Sequence, residues 1–239
     1  VIDMAKLINS LGSQPTKDYI EAIRNNKIIK KGLPHIAIPT TSGTGSESTH
    51  FAVVYINQEK FSLAHNFITP DIAIIDPVLS FSMPKYVAAC TGMDALSQAV
   101  ESFWSNGATE KSMEYASRAI LLINKSFVEA VNDSNKEAMI DLSIAANLSG
   151  RAINISKTTA PHAISYGITN SFSIPHGHAV ALTLGSFFKI NSNVKIPLSD
   201  KTRTLKEHSN RMNTLFSLFD STSARECSNK WKNLMHDIG

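Results

Sequence analysis

The chain has 239 residues, 43% hydrophobic and 18% charged, with a formal net charge of +3. This is an ordinary globular balance, long enough for one large domain or two smaller ones with an ample core. The charge is spread along the chain, which argues against a nucleic-acid surface; only "KIIKK" at 27–31 comes near a basic patch, and it reads as a solvated helix end. The two cysteines, Cys90 and Cys227, have no CxxC partner, so neither a disulfide framework nor a zinc ribbon is indicated, and a reducing, cytoplasmic interior fits best. No apolar run approaches the roughly 20 residues of a membrane span, and no charged-then-apolar signal segment opens the chain.

The opening "VIDMAKLINSL" has helical spacing from its first residue, with Ile2, Ala5, Leu7 and Ile8 on or near one face and no capping residue before it. An uncapped start at residue 1 is the expected mark of a segment removed upstream. "HIAIP" at 35–39 is a short apolar strand closed by proline. "FAVVYI" at 51–56 and "KFSLAH" at 60–65 flank polar "NQE" and read as a hairpin, and "DIAIIDP" at 71–77 as a buried strand.

From about residue 84 the pattern becomes helical, with the boundary at "VLSFSMP", 78–84. "PKYVAACTGMDALSQAVESFW" is the first such helix. Thr109 caps the second, with Met113, Ala116, Ile120, Ile123, Phe127 and Val131 as its stripe. Ser134 and Glu137 fit a capping box for the third. A fourth includes His162, and a fifth starts near Pro175, which suits a first helical turn. Two more are expected near 200–219 and 222–237.

Two constellations carry chemistry. "PTTSGTGSES" at 39–48 follows a strand, where α/β proteins bind ligands. Its glycines and hydroxyls suit a diphosphate, although it lacks the Lys of a P-loop and the third glycine of GxGxxG, and a strand rather than a helix is expected after it. A polar surface loop is an equal reading. The other is a histidine–acid set. Asp94 and Gln98 lie one turn apart on a helix face, His162 lies on another helix, and His176 starts a third. A carboxylate and two imidazoles suit Fe(II) or Zn(II), with the Gln98 amide as a weak fourth ligand. Any single histidine is more often a surface or hydrogen-bonded residue. His208 and His236 sit in polar helices and read as solvated, whereas His65 and His178 lie near the candidate segments. Lys60 either faces a phosphate or guards a sheet edge.

Together "PTTSGTGSE" (39–47), "IIDP" (74–77), "TGMDALSQAVES" (91–102) and "HAISYGITNSFSIPHGHAVAL" (162–182) resemble the iron-dependent alcohol dehydrogenase family, along the whole chain. The resemblance implies a partial α/β dinucleotide-binding domain over 1–83, followed by an all-helical metal and substrate domain over 84–239. This is the dehydroquinate synthase-like layout, with cofactor and substrate in the cleft between the parts. "VIDMAK" looks like the segment after the family's Gly-Gly-Gly-Ser loop, so the front of the first domain and the last C-terminal helices are expected to be missing. Family members hold the metal with one Asp and three His. Carried over by motif, these are Asp94, His162 and His176, while the remaining histidine falls on Gln98. That departure implies a three-ligand site, as in glycerol dehydrogenase relatives, or a weak amide ligand. A further family histidine, near the nicotinamide, falls on Tyr166. Thr40, Thr41, Ser42, Thr44, Ser46 and Lys60 would face NAD or NADP, with Asp3 near it.

The implied activity is reversible aldehyde reduction, with Asp94, His162 and His176 holding a Lewis-acid metal in a cytoplasmic homo-oligomer, expected to be a dimer. The motifs look most like the phosphonoacetaldehyde reductase branch, and Lys60, His65 and His178 are the groups that could meet an anionic substrate. The alternatives are a dehydroquinate synthase-like lyase on the same layout, or a non-catalytic remnant.

Overall fold

A computed structural model describes residues 1–16, 18–57, 59–194 and 203–239. Gln58 in the hairpin turn and the expected helix start at 200–202 lie outside the described residues. Helix α1 (Ile2–Gly12) begins at Val1 with no side-chain cap. Only part of the expected apolar face is buried: Leu7 enters the small core, but Ile8 is 68% exposed and Lys6 and Ser10 are buried beside Leu7 instead. The cause is the Lys6 ammonium. It donates to Thr49 O (2.9 Å), Thr49 Oγ1 (2.9 Å) and Phe51 O (3.0 Å). A buried ammonium has to find acceptors, and these acceptors lie on the loop end and the next strand, so they set the helix rotation. Burial lowers the Lys6 pKa to about 8.

Helix α2 (Tyr19–Arg24), which periodicity did not mark, is capped by Asp18. "KIIKK" follows it as a loop rather than a helix end: Ile28 is buried, Lys27 pairs with Glu21 and Lys31 with Asp71. Strands β2 (Phe51–Ile56) and β3 (Glu59–Ala64) form the expected antiparallel hairpin, with Phe51 opposite Ala64 and Ile56 opposite Glu59. Ala52 and Leu63 point inward to a small core with Leu7, Ile23, Ile28 and Ile68. The other two expected strands shrink to β1 (Ile36–Ala37) and β4 (Ile72–Ala73), a parallel pair. "DIAIIDP" is not buried: Ile72 is 52% and Ile74 44% exposed, and Ile36 opposite is 54% exposed, because no described element packs over that face.

The helical part begins at α3 (Lys85–Trp104), buried almost throughout from Ala88 onward. It is surrounded by α4 (Glu110–Asn132), α5 (Lys136–Ser156) and α7 (His176–Ser192), with α8 (Leu205–Leu218) against its end. Helix α6 (Ala160–Phe172) packs on α7, as does α9 (Ala224–Asp237). Thr109 caps α4 through a reciprocal box with Ser112, and Ala116, Ile120, Ile123, Phe127 and Val131 enter the main core. The cap of α5 is Asn135, not Ser134. Ser134 takes a left-handed φ of 50° to close the preceding turn, which moves the capping position one residue on. Pro175 likewise stands just before α7, so His176 is the first helical residue. Among the described residues no helix is long and apolar enough to cross a membrane, and both cysteines are free and buried.

Helix α5 fixes the hydroxyl-rich loop. Ser143, Asn147, Gly150 and Asn154 share one face at helical spacing, and each meets the first part of the chain. Ser143 Oγ lies 2.8 Å from Ser42 Oγ and 3.1 Å from Ser80 Oγ. Asn147 donates to Glu47 and Ser48, both at 2.8 Å, and Asn154 accepts the His50 amide at 2.7 Å. Gly150 lies against Gly45, which has a φ of +62°, and a Cβ on Gly150 would fall 2.6 Å from Gly45 Cα. The loop continues through a single 3-10 turn at Ser46–Ser48 into β2, so a strand does follow it.

Gly150→Ala separates helix propensity from this contact. Propensity favours alanine by about 1 kcal/mol, whereas forced overpacking costs about 1–3 kcal/mol. The variant is expected to unfold at lower urea concentration than wild type, and a raised midpoint would mean that the loop yields freely.

Candidate active site

Asp94, Gln98 and Glu101 occupy positions i, i+4 and i+7 of α3, one face of a largely apolar helix. Asp94 and Gln98 are 4% and 3% exposed, and Glu101 is fully buried. His162, in the first turn of α6, and His176, at the start of α7, are brought onto this face. His162 Nε2 is 3.3 Å and His176 Nε2 4.0 Å from Asp94 Oδ1, and the three groups can present one ligand atom each within 4.8 Å of one another. Bonds of about 2.0–2.2 Å put neighbouring ligands of one ion about 3–3.5 Å apart, so small side-chain movements separate this arrangement from ligation.

Gly177 allows the approach of α7. A Cβ there would lie 2.0 Å from Cys90 O and 2.9 Å from Asp94 Cβ. His176 can reach Asp94 because the next residue has no side chain.

The electrostatics fit a cation. Asp94 Oδ1 is buried with no hydrogen-bond partner, although His162 Nε2 lies close to it. His162 Nδ1 is hydrogen-bonded to Glu101, whose other oxygen accepts from Thr159 N (2.5 Å) and Thr159 Oγ1 (2.7 Å). Burial alone would lower the His162 pKa, but Glu101 and Asp94 on either side raise it to about 9. Burial opposes ionisation of Asp94, yet His162, His176 and Gln98 hold its carboxyl below the ordinary value. His176 is pushed down by burial, against the pull of Asp94. Without an ion, a proton on His162 answers the two carboxylates. A divalent cation ligated by Oδ1 and both Nε2 atoms would satisfy the orphaned oxygen as well, and the mixed oxygen and nitrogen donors suit Fe(II) or Zn(II).

The site opens on a cleft of about 830 Å³ that also includes Asp3, Thr44, Ser46, Val53, Tyr55 and Tyr166. Asp3, Thr44, Ser46 and Val53 also line an adjoining cavity of about 1110 Å³ beside Thr40 and Thr41, so the loop and the histidine–acid set share one groove. Asp3 ties its walls together, accepting from Val53 N at 2.9 Å and from the Ser46 hydroxyl. Ser42 departs from expectation: it is 2% exposed and bonded to Ser143, so its hydroxyl is turned away from the groove. Gln98 lines the cleft, but its amide donates to Thr44 O (3.3 Å) and its oxygen accepts from Ser149 (3.2 Å).

Tyr166 stacks on His176 with centroids 5.5 Å apart and planes 1° from parallel. Lys60 Nζ sits 3.0 Å from the Tyr166 ring centroid, a cation–π contact. Burial lowers the Lys60 pKa to about 8, and burial with Asp94 nearby raises that of Tyr166 to about 12. The other proposed anion contacts lie elsewhere. His178 projects from a different side of α7, lining a separate cavity with Tyr86 and Cys90, and His65 caps the turn at Asn66–Ile68. His208, read as solvated, is 7% exposed and bonded to Asn191 O at 2.7 Å.

Two stretches match family models: residues 1–77 match "Iron-containing alcohol dehydrogenase" and residues 88–239 match "Fe-containing alcohol dehydrogenase family, C-terminal". The chain belongs to the iron-containing alcohol dehydrogenase family. It is 39% identical to long-chain-alcohol dehydrogenase 1 of Geobacillus thermodenitrificans over 77% of this chain and 47% of that protein. It is 35% identical to phosphonoacetaldehyde reductase of Streptomyces viridochromogenes over 65% of this chain and 40% of that protein. Sulfoacetaldehyde reductase from Bifidobacterium kashiwanohense, solved in complex with NAD+, superposes on the whole chain with a TM-score of 0.85 at 32% identity, covering 61% of that structure. The chain therefore spans about half the length of the curated relatives it matches.

Two substitutions test whether Asp94, His162 and His176 of this family member can hold an ion. Gly177→Ala alters no ligand but forces the start of α7 away from α3. It is expected to weaken Zn(II) binding in a calorimetric titration, with the helical circular dichroism unchanged. Gln98→His puts an imidazole one turn from Asp94. It is expected to tighten Zn(II) retention during dialysis against a chelator, and unchanged retention would place residue 98 outside the ligand sphere.

Proposed function

We propose that this chain carries the metal site and the nicotinamide-facing cleft of an NAD(P)H-linked alcohol dehydrogenase that interconverts small aldehydes and primary alcohols. The observation that carries this reading is the convergence of Asp94, His162 and His176 around an orphaned carboxylate oxygen, at one end of a groove whose other end is the hydroxyl-rich loop. Asp94, His162 and His176 hold the ion, Fe(II) or Zn(II), with the Gln98 amide oxygen as a weak further ligand. When bound, that ion polarises a carbonyl oxygen as a Lewis acid.

The chain's own residues position the reactants. Thr40, Thr41, Thr44 and Ser46 line the path of the dinucleotide, and Asp3 holds Ser46 against β2 so that the path keeps its shape. Tyr166 packs on His176 and narrows the reacting end of the cleft. Burial shields Asp94 and His162, while His176 faces the open cleft from which a substrate would approach.

The finer reading is an aldehyde with a phosphonate or sulfonate group. Relatives named for phosphonoacetaldehyde and sulfoacetaldehyde support it, as does Lys60. This cation is half-buried above Tyr166, and among the described residues no carboxylate pairs with it. An anionic substrate supplies the missing charge.

The purified protein, loaded with Fe(II) or Zn(II), is expected to consume NADH or NADPH with an aldehyde panel. Asp94→Ala is expected to lower turnover by about 100-fold or more, the scale of losing electrophilic stabilisation, with circular dichroism retained. A variant with near wild-type rate would refute the metal assignment. Lys60→Met is expected to raise KM for phosphonoacetaldehyde about 10–100-fold, the worth of a charged hydrogen bond, and to leave acetaldehyde little changed. Equal losses for both substrates would assign Lys60 to the cofactor instead.

A further inference from the structure

We propose that Glu101, oriented by Thr159, is a positioning residue that fixes the tautomer of His162, keeping the ring proton on Nδ1 and the Nε2 lone pair aimed at the cation site. This inference rests on the metal-centre reading above and concerns a residue outside the ligand set.

The argument is one of hydrogen-bond direction. An indole N–H can only donate. Trp104, the last residue of α3, gives its Nε1–H to Thr159 Oγ1 at 3.0 Å. The Thr159 hydroxyl hydrogen is thereby directed elsewhere, and it meets Glu101 Oε2 at 2.7 Å. The Thr159 backbone N–H points at the same oxygen, at 2.5 Å. Two donors on one oxygen require it to be an acceptor, and the carboxylate presents its other oxygen to His162 Nδ1. That nitrogen then carries a hydrogen. In the neutral ring Nε2 is left with its lone pair, 3.3 Å from Asp94 Oδ1, on the side where His176 converges. A metal requires a neutral imidazole presenting a lone pair, and the group bonded to the opposite ring nitrogen decides which nitrogen does so.

The groups involved sit at helix ends. Thr159 is the residue before α6, His162 lies in the first turn of that helix, and Glu101 and Trp104 close α3. Glu101 is 0% and His162 4% exposed, so the bond between them is shut off from bulk solvent.

Glu101→Gln keeps the shape and reverses the logic. The glutamine has one acceptor oxygen, and the two donors of Thr159 claim it. Its NH2 is left facing His162 Nδ1, which must then accept, and the ring proton moves to Nε2, where it blocks ligation. The test combines a chelator-competition titration of Zn(II) with proton–nitrogen NMR of the zinc-loaded, histidine-labelled protein. Wild type is expected to show His162 coordinated through Nε2 with a proton on Nδ1. Glu101→Gln is expected to bind Zn(II) about 10–100-fold more weakly and to lose the Nδ1–H signal. Wild type coordinated through Nδ1, or a Glu101→Gln protein that keeps both full affinity and the Nδ1–H signal, would overturn the inference. The wild-type spectrum decides even if the variant fails to fold. A wild-type protein that takes up no Zn(II) would overturn the metal-centre reading itself, and this inference with it.

Discussion

Two carboxylates buried on one face of one helix are the constraint from which the rest of the structure follows. Asp94 and Glu101 lie two turns apart on α3, inside an apolar bundle. An ionised side chain in such a setting costs several kcal/mol unless it is paired and hydrogen-bonded. His162 is the group that reaches both, and Thr159 saturates the far oxygen of Glu101. These contacts dictate where α6 must begin. Asp94 also faces His176, where α7 presses so closely on α3 that only glycine fits at the next position. The remaining orphan, Asp94 Oδ1, is what turns a charge-balanced core into a place for an ion.

A second set of polar contacts decides where the ligand path runs. Helix α5 packs on α3 and α4 through a mostly apolar surface and presents serine, asparagine and glycine toward the loop at 39–48. On the far side of that loop, Lys6 and Asp3 grip the strand that follows it. The loop is thus fastened from both flanks through hydrogen bonds and one backbone contact between glycines. The hydroxyls of Thr40, Thr41 and Thr44 are left at the groove, with Ser46 beside them bonded to Asp3. Ser42 is spent on the fastening.

Much of this was legible in the sequence where one periodicity acted alone. The i, i+4 pair of Asp94 and Gln98, the histidines heading two later helices and the Thr109 cap all follow from local spacing. Glu101 was written in the same helix at i+7, and the signal that could have found it was a third polar residue in phase with two others on an apolar helix. Local patterns failed where a distant partner outbid them. On α1 Leu7 kept its place in the core but Ile8 yielded to Lys6 and the acceptors waiting for it, and the capping box at Ser134 lost to the turn that residue had to close. His178 stands beside His176 in sequence, yet two residues along a helix turn a side chain to another side, so only one of the pair reaches the cleft. His208 looked solvated in a polar stretch, but the carbonyl of Asn191 that holds it comes from another helix.

The short parallel pair of β1 and β4 and the residues just after each strand leave Ile36, Ile38, Ile72 and Ile74 about half exposed, with Ile29 and Leu33 exposed in the segment before it. Greasy side chains beside unpaired backbone edges are the recipe for intermolecular zippering. On this polypeptide as it stands, that margin is where self-association is expected to begin.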